Sequence, residues 1–429
     1  MRPSSNCFPI RANTDLIDEL RFRPSCGVTL GVELELQLLD PATRELAPGA
    51  VRVLDACADE KLPGISGEFL LCMIEAKTGV CQNVQEVRDT FVPLLRKLRN
   101  ISRSLGYEVC SGGTHPCGRP LMSALYPDER YQRIQNKQGW SAYQEAVFGL
   151  HVHVGVPSAN QAIRVSNLVS RYLPHLLALS ANSPLWEGID TNYASTRARM
   201  FRPGAHVGVP PQFRDWSRYS AFVNRLHRAG AIDGTKDLYW DIRPRADFGT
   251  IEFRIFDAPP TVEHLLALVA LTRSLVVQAL RTLERDPQRG QPSFTRAWLA
   301  NENRWAASRF GLNSPHMLAG KSGGQTLRDD CARLMRRILP VARDMGEHSF
   351  LEPLLHLPSL ETGAARQRRV FRDQGQWQSV VDDMCDRWSQ GFAADLCADG
   401  ATAVETRGCE TLRIRHLAIA SNALNGKPR

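Results

Sequence analysis

Three stretches of this chain alternate apolar and polar residues almost without fault, and nothing else in the sequence limits the fold so tightly. In Val28–Leu38, the residues Val28, Leu30, Val32, Leu34, Leu36 and Leu38 point one way and Thr29, Gly31, Glu33, Glu35 and Gln37 the other. Leu150–Val156 repeats the pattern, with His151, His153 and Gly155 on its polar face. In Thr250–Asp257, the residues Thr250, Glu252, Arg254 and Phe256 lie opposite Ile251, Phe253 and Ile255. Successive side chains of a strand point to opposite faces, so each stretch is predicted to be a strand with one greasy and one polar face. Such strands belong in an antiparallel sheet covered on one side, because a parallel sheet normally buries both faces.

The segments between them read mainly as helices. Asn83 followed by Glu86 is an N-terminal capping signature, and the helix it opens is predicted to run to Leu105, with Gly106 closing it. A second helix follows Pro157 and Ser158 and continues to about Ala181. Thr261–Glu284 and Gln325–Leu339 are the other long helices, the latter expected to stop before Pro340. Leu71–Ala76, apolar apart from Glu75, is predicted as a buried strand with Glu68 in the turn before it. Tyr239–Arg243 is predicted as a strand with Asp241 and Arg243 on one face. Strands and helices mix without strict βαβ alternation, so the predicted class is α+β with a largely antiparallel sheet.

Composition bounds the rest. At 429 residues, 43% hydrophobic and 23% charged, the chain has a globular rather than a disordered composition. Residues 1–24 read as a loose lead-in, 25–429 as one catalytic domain, and 313–429 as its mostly helical C-terminal part. Residues 372–429 carry no functional signal. Leu265–Leu280, interrupted by Arg273, is too short to span a bilayer and reads as a core helix. Eleven scattered cysteines without a C-x-x-C, and an N-terminus without an apolar export core, point to a reducing cytoplasm.

The polar faces of the three strands carry Glu-x-Glu, His-x-His and Glu-x-Arg. On a single strand, solvation explains such residues well enough. Three faces that concentrate metal-ligand residue types and an arginine point further, to one carboxylate-rich surface if the strands share a sheet. Magnesium takes oxygen ligands and bridges phosphates, whereas His-x-His also suits zinc. On the residues alone both stay open, and the surplus of glutamate favours magnesium. Glu75 in its apolar strand is costly unless it is paired or bound to a cation.

Of the 53 basic residues only seven are lysines, and the formal charge is +8. Clusters such as Arg336-Arg337 and Arg366, Arg368 and Arg369 lack interleaved aromatics on which bases would stack, so no nucleic-acid partner is expected. No G-x-G-x-x-G opens a helix after a strand, and no G-x-S-x-G elbow occurs. Gly320-Lys321-Ser322 ends like a P-loop, but Pro315 stands where its first glycine would be.

These residues sit in blocks that resemble a known family. GVELELQLLD, the stretch from Glu68 to Glu75 ending in IEAKTGVC, GGTHP, GLHVHVGV, LPHLLALSANSPLWEGIDTNYASTRARM, DIRPRADFGTIEFRIFDA and ENRWAASRFGL follow in one order between about residues 27 and 312. GAARQRRVF at 363–371 is a weaker echo. Together they resemble the bacterial carboxylate–amine ligases of the glutamate–cysteine ligase type-2 family. The resemblance implies the fold shared with glutamine synthetase and guanidino kinases, a curved, largely antiparallel sheet funnel flanked by helices. It implies ATP as co-substrate, Mg²⁺ as cofactor, and an amide made from a carboxylate and an amine, with glutamate–cysteine ligase activity as the namesake case.

Carried over position by position, the resemblance implies metal-holding roles for Glu33, Glu35, Glu75, His151 and Glu252. It implies a phosphate contact at Arg254, an acidic residue near the amine at Glu68, and the arginine for the substrate carboxylate at Arg197, with His153 beside the substrate. CMI before Glu75, Lys77 after it and CGRP after GGTHP depart from the family pattern on the acceptor side, so the substrate pair stays unnamed. The expected reaction is attack of a carboxylate on the γ-phosphorus of ATP, followed by displacement of phosphate by an amine. Lid segments are expected around 195–215 and 360–370. The expected partners are small carboxylate and amine substrates, amino acids foremost, with no nucleic acid, no membrane, and a homo-oligomer as the default assembly. Two other readings stand beside this one. One is a zinc-dependent hydrolase built on His151 and His153; the other is a non-catalytic homologue that binds ATP or an amino acid without turnover.

Overall fold

The computed structural model describes residues 16, 18–119, 124–200, 206–318, 325–357 and 359–392, and it gathers the alternating stretches into one sheet. Its strands are β1 (Leu30–Leu39), β2 (Ile65–Gly67), β3 (Met73–Lys77), β4 (Glu108–Cys110), β5 (Gly149–Gly155), β6 (Ile242–Arg245) and β7 (Thr250–Asp257). Among the described residues they form a seven-stranded sheet in the order β6-β7-β5-β1-β3-β2, with β4 pairing onto the C-terminal end of β1. Every pairing in it is antiparallel. The three alternating stretches are thus its central members, and their apolar face is the core. Leu34, Leu36 and Leu38 of β1 and Val152 and Val154 of β5 are fully buried, each contributing about 2 kcal/mol by leaving water.

Helices cover that face: α1 (Val84–Ser104) packs on β1, α2 (Ala159–Val169) on β6, α3 (Leu173–Ser180) on β7 and α4 (Val262–Arg285) on β5. Asn83 caps α1 by accepting from the Glu86 N–H at 2.8 Å, while the Glu86 carboxylate reaches back to the Gln82 N–H at 2.7 Å. Gly106, at φ +83°, closes α1 in the left-handed region that glycine adopts without strain. The helix predicted from Ser158 to about Ala181 is two helices. A 3-10 turn at Ser170–Tyr172 separates α2 from α3, and Pro174 sits in the first turn of α3, where a missing N–H costs nothing. α4 is long and apolar enough to cross a membrane, yet 72% of its most apolar stretch is buried within the protein.

Four further sequence expectations need correction. The helix expected to stop before Pro340 is α6 (Leu327–Asp344), which follows α5 (Phe294–Phe310) and runs through the proline. Ile338, Val341 and Ala342 are buried there, so packing holds the last turn although the ring removes one hydrogen bond. Tyr239–Arg243 is not one strand. Tyr239–Trp240 pairs in parallel with Val207–Gly208, and β6 begins only at Ile242. β3 likewise begins at Met73, because Leu71 and Cys72 form a turn. Finally, Phe256 does not share the polar face with Glu252. Phe253 pairs with Val152 and Phe256 with Leu150, so β7 carries one extra residue, a β-bulge that moves Phe256 onto the buried face. The Arg254 N–H donates to the Asp241 carbonyl at 2.8 Å, which carries the β6–β7 register one residue beyond β6.

Contacts divide the chain before Phe392, and the first unit ends in α7 (Gly363–Gln374) and α8 (Trp377–Gln390). Most of the predicted lead-in, 201–205 of the first lid segment, Gly320-Lys321-Ser322 and 393–429 lie outside the described residues.

Candidate active site

Antiparallel pairing sorts the polar residues into rows. Arg243, Glu252 and His153 stand opposite one another across β6, β7 and β5. One row along, His151, Glu33 and Lys77 face across β5, β1 and β3. A third row sets Glu35, Glu75 and Ser66 across β1, β3 and β2. The rows border a cavity of about 370 Å³ that has two chemically different ends. Arg243, Arg245 and Arg254 line one; Glu35, Glu68 and Glu75 line the other.

At the arginine end Glu252 is completely buried and ion-paired. Arg243 donates from Nε to Oε2 at 2.8 Å and from Nη2 to Oε1 at 3.0 Å. Arg254 Nη1 donates to Oε1 at 2.6 Å, and Arg245 Nη1 lies 3.6 Å from Oε2. Burial alone would favour the protonated acid, but Arg243 and Arg254 hold Glu252 well below the usual carboxylate range. Arg254 in turn is held above its ordinary value, because Glu252 outweighs its burial.

The carboxylate end is the reverse. Glu35 accepts the Gly149 N–H at 2.6 Å, yet burial pushes it up to about 7, with Arg197 opposing and Glu68 adding to the rise. Glu75 takes Lys77 Nζ at 2.6 Å and Ser66 Oγ at 3.2 Å, and still burial, with Glu68 and Glu33 nearby, pushes it to about 8. Between the two ends, burial would raise Glu33, but the hydrogen bond to His151 and the nearby His153 imidazole hold it well below its ordinary value. Burial and Arg254 push His151 down to about 3, so a neutral imidazole donates from Nδ1 to an ionised Glu33 Oε2 at 3.2 Å. That tautomer leaves His151 Nε2 as a bare lone pair, buried and without a hydrogen-bond partner. Glu33, His151 and Glu252 each bring a ligand atom within 4.8 Å of the others. An orphaned imidazole lone pair among carboxylates fits a bound cation.

Of the residues predicted from sequence, Glu33, Glu35, Glu68, Glu75, His151, Glu252 and Arg254 all line this cavity. His153 and Arg197 lie behind the lining. His153 Nδ1 meets Thr250 Oγ1 at 3.1 Å, and its Nε2 stands 3.6 Å from Glu33 Oε1. Arg197, buried at the start of the short helix Arg197–Met200, donates from both Nη atoms to the Arg254 carbonyl at 3.3 Å. It fills the space beside Gly149, where a Cβ would sit 2.1 Å from Nη2. Among the described residues, His151 is the one histidine or cysteine in that ligand group, and His153 is not part of it.

Sequence reasoning assigned no role to Arg243 or Arg245. Their signal was present: DIRPRADFGTIEFRIF is a hairpin, and its turn sets Arg243 opposite Glu252. Pro244 is tolerated because β6 is an edge strand. Arg130 and Tyr131, which also line the cavity, come from Glu129–Gln138, which reads as an ordinary polar helix.

Residues 29–387 match the profile of Glutamate-cysteine ligase family 2 (GCS2). A Thermobifida fusca (strain YX) protein provisionally named glutamate–cysteine ligase 2 is 34% identical over 387 residues, which cover 89% of this chain and 96% of its own. A Rubrobacter xylanophilus protein provisionally named glutamate–cysteine ligase 2-3 is 37% identical over 372 residues, covering 86% and 99%. The crystal structure of a glutamate–cysteine ligase from Francisella tularensis in complex with AMP superposes with a TM-score of 0.63 over 90% of this chain and 97% of its own. At 12% identity that is a likeness of fold, and the expected class of an antiparallel sheet flanked by helices holds.

Proposed function

The chain belongs to glutamate–cysteine ligase family 2 and is an ATP-dependent ligase, and we propose that it joins a carboxylate to an amine through an acyl phosphate formed in this cavity. The observation that carries the reading is the gradient across one sheet face, from Arg243, Arg245 and Arg254 to Glu35, Glu68 and Glu75. Phosphoryl transfer is mostly positioning and charge compensation, and a surface with fixed cations at one end and cation-demanding carboxylates at the other supplies both.

Glu33, Glu35, Glu75 and Glu252, with His151 Nε2, would hold Mg²⁺. When bound, it screens the triphosphate and draws charge from the transferring phosphoryl oxygens. A substrate carboxylate oxygen attacks the γ-phosphorus, ADP leaves, and that oxygen becomes the bridge of an acyl phosphate. The amine then attacks the carbonyl carbon, and phosphate departs with the bridging oxygen. Arg254, fixed by Glu252 and by the bulge, faces the phosphoryl group as its charge rises. Glu68 is the carboxylate assigned to the amine side, where it accepts the proton the amine loses. Arg197 holds the Arg254 carbonyl, so it reaches the substrate carboxylate only if its side chain moves; where it stands, it positions Arg254. His153 does the same for Glu33. The substrates are small carboxylates and amines, amino acids foremost, and L-glutamate with L-cysteine is the first pair to try. The scattered free thiols suit a reducing cytoplasm.

The test is ADP release across a panel of carboxylate–amine pairs. A pair that supports turnover should depend on Mg²⁺ and lose about 10²–10³-fold in Glu33→Gln and Glu252→Gln. Turnover that survives both substitutions contradicts the assignment.

A further inference from the structure

A second cavity, of about 630 Å³, lies among the helices and shares no lining residue with the ligase site. α3 contributes His175, α5 contributes Arg296, Leu299, Ala300 and Asn303, and α6 contributes Asp330, Arg333, Arg336 and Arg337. Five of its lining residues are arginines, adding Arg171 from the 3-10 turn, against a single carboxylate, Asp330. That carboxylate is already engaged. Its Oδ2 takes His175 Nε2 at 2.7 Å and His316 Nε2 at 3.3 Å, and its Oδ1 takes Arg333 Nη2 at 2.6 Å. Among the described residues, the other four arginines have no carboxylate partner. Arg171 and Arg337 instead lie 4.6 and 5.7 Å from the centre of the Tyr172 ring, and Arg296 donates to the Gln291 carbonyl at 2.6 Å.

His175, His316 and Asp330 have ligand atoms within 4.8 Å of one another, which is also what a metal triad offers. Charge decides against it. Both imidazoles are turned onto the same carboxylate oxygen, Arg333 holds the other, and four more guanidinium groups would repel a dication. They would attract an anion, and the planar guanidinium fork suits phosphate best. Leu299, Ala300, Met317 and Leu318 make part of the wall apolar, and the volume falls in the range of small-molecule sites. We propose that this cavity binds a small organic phosphate, an apolar or aromatic body carrying a phosphoryl group, independently of the ligase site.

The test uses 1-naphthyl phosphate as probe on the full chain, with calorimetry and probe fluorescence as readouts. Saturable binding is expected, weakened at least about tenfold in Arg336→Glu/Arg337→Glu and separately in Arg171→Gln. Both changes are at exposed positions, and thermal melts check that the variants fold. Arg254→Gln, which removes a guanidinium group from the ligase site, should bind as wild type does, and neutral 1-naphthol at least about tenfold more weakly. Binding lost in Arg254→Gln but kept in the variants of this cavity would put the probe in the ligase site and overturn the proposal. Equal binding of 1-naphthol would overturn it by showing an apolar pocket only. Stoichiometric zinc bound by the wild type and lost in His175→Ala would overturn it in favour of a metal site.

Discussion

Glu252 and Glu75 are both buried glutamates on the polar face of one sheet, yet they are held in opposite protonation states. Three arginines surround Glu252 and keep it ionised well below the usual range. Glu75 has Lys77 alone at 2.6 Å and two further glutamates nearby, and it holds its proton up to about 8. Glu35 behaves likewise, at about 7. Burial is common to all three, so the difference lies in the counter-charges. At the arginine end the protein supplies its own cations; at the carboxylate end it leaves a deficit of positive charge that divalent cations can fill.

The comparison breaks most visibly at Glu252. Glu252→Gln strips the shared anion from Arg243, Arg245 and Arg254, and breaking such a buried network costs about 3–5 kcal/mol in a denaturant titration, besides the loss of turnover. Glu75→Gln should do the opposite to the metal-free protein, leaving its stability at pH 8 equal or higher while abolishing Mg²⁺-dependent turnover. If both variants destabilise alike, the two ends are not different in kind.

A pH series sharpens the same contrast. Glu35 and Glu75 have folded-state values raised above the ordinary 4.5, so they favour folding at low pH and lose that contribution as pH rises through about 7 and 8. Glu252 is depressed, so its contribution is present above its ordinary value and fades only in acid. The melting temperature of metal-free protein should therefore fall by several degrees between about pH 5 and pH 8.5, and Mg²⁺ should restore it more at the upper end. A flat profile, or equal Mg²⁺ stabilisation at both ends, contradicts the charge deficit. A smaller effect is expected of Lys77→Met. Lys77 draws Glu75 downward, so removing it should move the alkaline rise of Mg²⁺-dependent activity to higher pH. The smallest belongs to the scaffold. Gly149→Ala presses a methyl on buried Arg197 and should cost about 1–3 kcal/mol, with kcat falling more than KM rises because Arg254 loses its support.

Period-two alternation made the central strands legible, because each polar face can be read from one strand without knowing its neighbours. Glu33, Glu35, His151 and Glu252 were found that way. What alternation cannot tell is register. The rows that set His151 on Glu33 and Glu75 beside Glu35 exist only once the strands pair. The β7 bulge was only half legible: TIEFRI alternates, but Phe256 then falls on the polar side and Asp257 on the greasy one, and only the pairing with β5 shows that the break is an extra residue. Pro340 misled in another way, because a local stop signal yields where buried residues follow it. Arg197 was recognised by resemblance alone, and its place against the polar face of the sheet depends on Gly149 leaving it room.

The central claim is an acyl phosphate formed between the arginine and carboxylate ends of this cavity, and oxygen transfer tests it most directly. The carboxylate substrate that supports ADP release is labelled with ¹⁸O in both oxygens, and the released phosphate is analysed by mass. One labelled oxygen in the phosphate for each amide formed is the predicted result. Amide and ADP accompanied by unlabelled phosphate would contradict the account.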